Sequence, residues 1–67
     1  MLLTPGQTEE RIWHYVRGNP SLRATAAEIA RHARADVEET RHILDELVAR
    51  NVLRRFDPPG EPAIYWS

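Results

Sequence analysis

Three histidines, His14, His32 and His42, are the only imidazoles in the chain, and they form no recognisable catalytic or metal-binding pattern. There is no His-Glu-x-x-His motif, no cysteine and no glycine-rich phosphate loop, so the common routes to a zinc site, a thiolate or a cradled phosphate are closed. No set of nucleophile, base and orienting group stands out, and 67 residues leave little room for a substrate cavity. The expectation is a protein that is not an enzyme and has no cofactor and no metal. What remains is arginine and carboxylate chemistry. All nine basic side chains are Arg, and Lys is absent. The planar guanidinium fork suits phosphate or carboxylate. The acids gather in one stretch: Asp36, Glu38, Glu39, Asp45 and Glu46 stand there against a single Arg41.

Those acids have a structural use. Asp36, Glu38 and Glu39 fall where a helix start favours negative charge, each contributing ~0.3–1 kcal/mol through the helix dipole. Arg41 can pair with Glu38 or Asp45, and Glu46 with Arg50 or His42, at helical spacings of three and four. Among the histidines, His14 is expected to be partly buried, and His32 and His42 exposed.

The elements that position these groups are clearly punctuated. Thr4-Pro5-Gly6-Gln7 reads as an N-cap, a proline at the first helical position and a capping-box partner. Ile12, Trp13, Tyr15 and Val16 then make an apolar stripe, and Gly18-Asn19-Pro20 ends the helix. Helix one is placed at about 5–17. Thr25-Ala26-Ala27-Glu28 opens a second helix, about 26–33, whose buried side is Ile29, Ala30 and Ala33. Arg34-Ala35 is the turn. Asp36-Val37-Glu38-Glu39 is a third capping box opening helix three, about 37–50, with Ile43, Leu44, Leu47 and Val48 on its apolar face and Asn51 as a left-handed terminator. Residues 52–66 read as a hairpin: β-prone Val52 to Phe56, a Pro-rich turn at 57–62, then Ala63 to Trp66. Leu22 to Ala24 can add a short third strand. A lone hairpin is marginal and has to pack on the helices.

Aromatic residues supply much of the burial in so small a domain. Trp13 is expected between helix one and the hairpin. Alternation sends Ile64 and Trp66 to one face of the last strand and Tyr65 to the other, so either Tyr65 or Trp66 is exposed. The exposed one is a candidate contact residue, and the aromatics together are a candidate stacking platform.

The length indicates one domain with a compact core. No apolar run approaches the ~20 residues of a membrane span, and the first residues lack the basic flank of a signal peptide. A cytoplasmic, monomeric protein, or one domain of a larger one, is the expectation, with no membrane association. A net charge of −1 argues against strong non-specific nucleic-acid binding but leaves room for a local basic patch.

The order helix, short helix, tight turn, helix, hairpin resembles the winged helix-turn-helix family over about residues 5–66. Its most specific parts are Thr25-Ala26-Ala27-Glu28-Ile29-Ala30-Arg31-His32 and the run from Thr40 through Leu47-Val48-Ala49-Arg50-Asn51-Val52-Leu53 to Arg54-Arg55. The resemblance implies a mainly α fold with three helices and a C-terminal wing of two or three strands. It also implies binding to double-stranded DNA, in transcription regulation or as a DNA-docking module. Helix three would enter the major groove, placing Asp36, Val37, Glu38, Arg41, His42 and Asp45 toward it. Arg54 and Arg55 on the first wing strand, Arg34 in the turn and Thr25 at the start of helix two would contact phosphate. The chain departs from the family twice. Arg34 stands where the turn often has a left-handed Gly, so a differently shaped turn is expected, and helix three is unusually acidic. The Pro-rich tip and Trp66 are similar to those of Z-DNA-binding winged helices, but Arg41 and Asp45 replace the Asn and Tyr that those use. The other function considered is protein interaction, with acidic helix three and the exposed wing aromatic meeting a basic partner.

Overall fold

A computed structural model describes residues 5–67. Three helices, α1 (Pro5–Arg17), α2 (Ala26–Ala33) and α3 (Val37–Ala49), pack with three short strands, β1 (Arg23–Thr25), β2 (Arg54–Phe56) and β3 (Ile64–Trp66). The sheet is antiparallel with order β1-β3-β2. This mixed arrangement is compatible with a winged-helix layout. No helix among the described residues is long and apolar enough to cross a membrane.

The expected limits of the first two helices coincide with those observed. The expected N-cap Thr4 lies outside the described residues. At α2 the capping box forms in full: Glu28 N–H donates to Thr25 Oγ1 at 3.2 Å, and Thr25 N–H donates to Glu28 Oε1 at 3.0 Å. At α3 only half of the expected box is present, with Glu39 N–H donating to Asp36 at 3.0 Å.

Both helix ends after the turn regions close in the same way. Arg34 has φ 55° and Asn51 φ 62°, both left-handed. Ala35 N–H reaches back to Ala30 O at 2.9 Å and Val52 N–H to Leu47 O at 2.9 Å, the six-to-one bond of a Schellman motif. The α2–α3 turn therefore keeps the left-handed geometry that Gly would favour, contrary to the expectation of a different shape. Arg34 itself adopts it. Arg11 on α1 helps to hold this turn, its guanidinium donating to Ala33 O at 2.9 Å and Arg34 O at 3.3 Å. That satisfies carbonyls which a helix end leaves without partners.

The second motif also explains where the hairpin differs from its expected span of 52–66. Val52 and Leu53 are committed to closing α3, which ends at Ala49 with Arg50 as its cap, so β2 begins at Arg54. Leu53 still faces inward, 2% exposed, as part of the core.

The core joins Ile12 and Val16 of α1, Ala26, Ile29 and Ala33 of α2, and Ile43, Leu44 and Leu47 of α3. Leu22, Leu53 and Tyr65 complete it. Small Ala side chains on α2 let its neighbours approach closely. Tyr15 stacks on His32 with ring centroids 5.2 Å apart, tying α1 to α2 over an otherwise exposed imidazole. His14, expected partly buried, is exposed. Trp13 is half-buried, and it lines a groove with Ile43, Leu47 and Val52 beside α3 rather than sitting under the hairpin. Thr40 is fully buried in the α3 face, and its hydroxyl has no hydrogen-bond partner among the described residues.

Candidate nucleic-acid interface

Glu38, Arg41, His42 and Asp45 lie three and four residues apart and so share one outward stripe of α3. At one end of the stripe, Arg41 pairs with Glu38. At the other, Asp45 Oδ1 accepts from Arg55 Nη1 at 2.8 Å and from the Tyr65 hydroxyl at 2.6 Å. Arg55 also donates to Asp57 at 3.0 Å. The charges run Glu38, Arg41, Asp45, Arg55, Asp57, alternating in sign from the start of α3 to the hairpin. The acids of α3 are thus largely engaged locally: Asp36 caps the helix, Glu38 holds Arg41 and Asp45 anchors the hairpin. Among the described residues, Glu46 makes no ion pair with Arg50 or His42.

Tyr65 is the pivot of this junction. Its ring is fully buried while its hydroxyl reaches Asp45. Burial, reinforced by the hydrogen bond to a carboxylate and its charge, pushes the phenol up to about 12. The Arg55 guanidinium is held above its ordinary range, first by the Asp57 hydrogen bond and also by Asp45.

Register separates two residues that were expected to act together. Arg55 pairs with Tyr65 across the ladder, and Arg54 with Trp66. Paired residues share a sheet face and neighbours along a strand alternate. Arg55 therefore lies on the α3 side with Tyr65 and Ala24, whereas Arg54 lies on the outer face with Trp66 and Arg23. The Arg54 guanidinium sits over the Trp66 ring, 5.2 Å from its centroid. The exposed aromatic left open by the sequence is Trp66, and it faces away from Asp45.

The remaining candidates divide similarly. Arg34 is exposed at the α2–α3 turn, and His42 is exposed on α3. Thr25 is half-buried and its hydroxyl is occupied in the capping box, where the Thr25 N–H in turn holds the Glu28 carboxyl below its usual range. Arg41, His42 and Arg55 border one surface, and Arg54 belongs to another. The split was readable from strand alternation at Arg54-Arg55. The junction of Asp45 with Tyr65 and Arg55 was not, because it joins residues ten and twenty positions apart. No group of three or more metal-ligating side chains occurs among the described residues.

In comparisons with known proteins, no family, no curated protein and no solved structure matches the chain.

Proposed function

We propose that the chain is a winged helix-turn-helix domain that docks on double-stranded DNA, as a transcription regulator or as the docking module of a larger protein. The observation that carries this reading is the continuous surface made by Arg41, His42 and Arg55. It runs from the outward stripe of α3 onto the hairpin. The acids on this surface are a smaller obstacle than their number suggests. Exposed ion pairs are worth only ~0–1 kcal/mol, so Arg41 and Arg55 can turn from carboxylate to phosphate at low cost. On this reading Arg41 and His42 face bases, Arg55 and Arg34 face phosphate, and α3 rides shallowly in the groove.

A basic protein partner that grips both acidic α3 and the wing aromatic is the weaker reading. Trp66 is on the sheet face turned away from Asp45, so one flat partner surface does not reach both.

The test is binding to a generic duplex at low salt, read by chemical-shift titration and mobility shift. Binding that weakens with salt is expected, with a slope corresponding to roughly two to four phosphates. Arg55→Ala is expected to weaken it severalfold, and Arg54→Ala to change it little. No duplex binding at low salt, or equal losses for the two variants, removes the proposal.

A further inference from the structure

The outer face of the sheet has a character of its own. Two cross-strand rows meet there: Arg23, Trp66 and Arg54 in one, and Thr25, Ile64 and Phe56 in the other. Phe56 is 54% exposed and Trp66 37%. Together with Pro20, Leu22, Ile64 and Arg23 they line an open groove of about 520 Å³. No Asp or Glu side chain lines it, and neither Arg23 nor Arg54 takes part in an ion pair among the described residues. The face is apolar along its floor and cationic at both edges, the reverse of the acidic start of α3. Exposed large apolar side chains rimmed by charge mark interaction sites.

We infer that this face docks a short, extended, acidic segment of a partner protein, with a large apolar side chain in the groove and carboxylates on Arg23 and Arg54. Charge complementarity selects the acids. The two arginines stand on the strands flanking β3, two strand spacings or roughly 10 Å apart. In an extended peptide alternate side chains share one face, so two acids four positions apart, roughly 13 Å, flank an apolar residue midway and lie within reach of the long arginine side chains. The matching pattern is acid, any residue, apolar, any residue, acid. A single-stranded nucleic acid suits the face less well. Its affinity grows with the number of phosphates neutralised, and the face offers only two arginines, Arg23 lining the groove and Arg54 over Trp66 beside it, in a chain of net charge −1. The floor favours an apolar anchor of the kind that dominates binding energy in protein interfaces. This face is separate from the Arg41–Arg55 surface, so the inference does not depend on DNA binding.

The experiment is a chemical-shift titration of the full chain with the blocked peptide Gly-Glu-Ser-Phe-Ser-Glu-Gly. A matched peptide with Gln in place of both Glu residues, and a short oligothymidine, serve as comparisons. The expected result is shifts confined to Arg23, Arg54, Phe56, Ile64 and the Trp66 indole, with α3 unmoved. Binding of the Gln peptide should be roughly fivefold or more weaker, from two exposed charge pairs. Arg23→Glu with Arg54→Glu should remove the response while leaving the α3 resonances in place, since both side chains are exposed. Four results overturn the inference. They are no response at millimolar peptide, equal binding of the Gln peptide, a stronger response to oligothymidine, and the same shifts on concentrating the protein alone, which would make a second copy the occupant.

Discussion

Arg34 carries the left-handed turn between α2 and α3 with a full side chain, a conformation that costs an L-residue ~1–2 kcal/mol relative to its normal region. Glycine relieves that strain but loses more chain entropy on folding. Arg34→Gly is therefore expected to stabilise the domain by about 1 kcal/mol net, read as a rise in the denaturation midpoint. If Arg34 touches phosphate as proposed, the same variant binds duplex DNA more weakly while being more stable, which separates the two roles. Tyr65 makes a second residue-scale prediction. Its phenol titrates near 10 when unfolded and about 12 when folded. The folded state thus holds the proton more tightly. The corresponding stability is complete below pH 10 and is lost as pH rises toward 12. Thermal melts across this range should show the loss, and Tyr65→Phe should flatten it. The choice between Tyr65 and Trp66 as the exposed aromatic was open in the sequence because alternation fixes opposite faces but not which one is inward. The Asp45 carboxylate waiting on α3 and the core around Leu44 decide it.

At the scale of elements, helix starts were legible because their signals are local: Thr25 and Asp36 each hydrogen-bond within three residues. The start of β2 was less so. Val52 and Leu53 have strand-like side chains, but their N–H groups are spent on Leu47 O, and backbone closure overrode propensity. Arg11 was invisible as a structural residue, since its partners are 22 and 23 positions away. Arg11→Met keeps the aliphatic stem but leaves two turn carbonyls unbonded. A loss of about 1.5–3 kcal/mol is expected from chemical denaturation, as for a hydrogen bond to a charged donor, with the lower end favoured because the site is partly open to water. The α3–hairpin junction gives a prediction of mixed sign. Asp45→Asn keeps an acceptor for Tyr65 while removing a negative charge and loosening Arg55. Stability is expected to fall modestly, by less than about 1 kcal/mol, while duplex affinity rises. A fall in both, measured by melting and by titration, would place Asp45 among the groups that favour DNA instead.

For the whole molecule, the acidic start of α3 and the basic outer sheet face give a chain of net charge −1 two surfaces of opposite sign. Composition reports only their sum, which is why neither surface could be read from it. The placement of β3 adds something about how the molecule comes into being. This strand is last in chain order yet central in the sheet, hydrogen-bonded to β1 on one side and β2 on the other. All three helices precede it in the chain and can associate before either ladder has its partner. Tyr65 then arrives late, bringing the phenol that meets Asp45. Neither ladder can close until Ile64–Trp66 are in place, so β1 and β2 depend on the same three residues for their pairing.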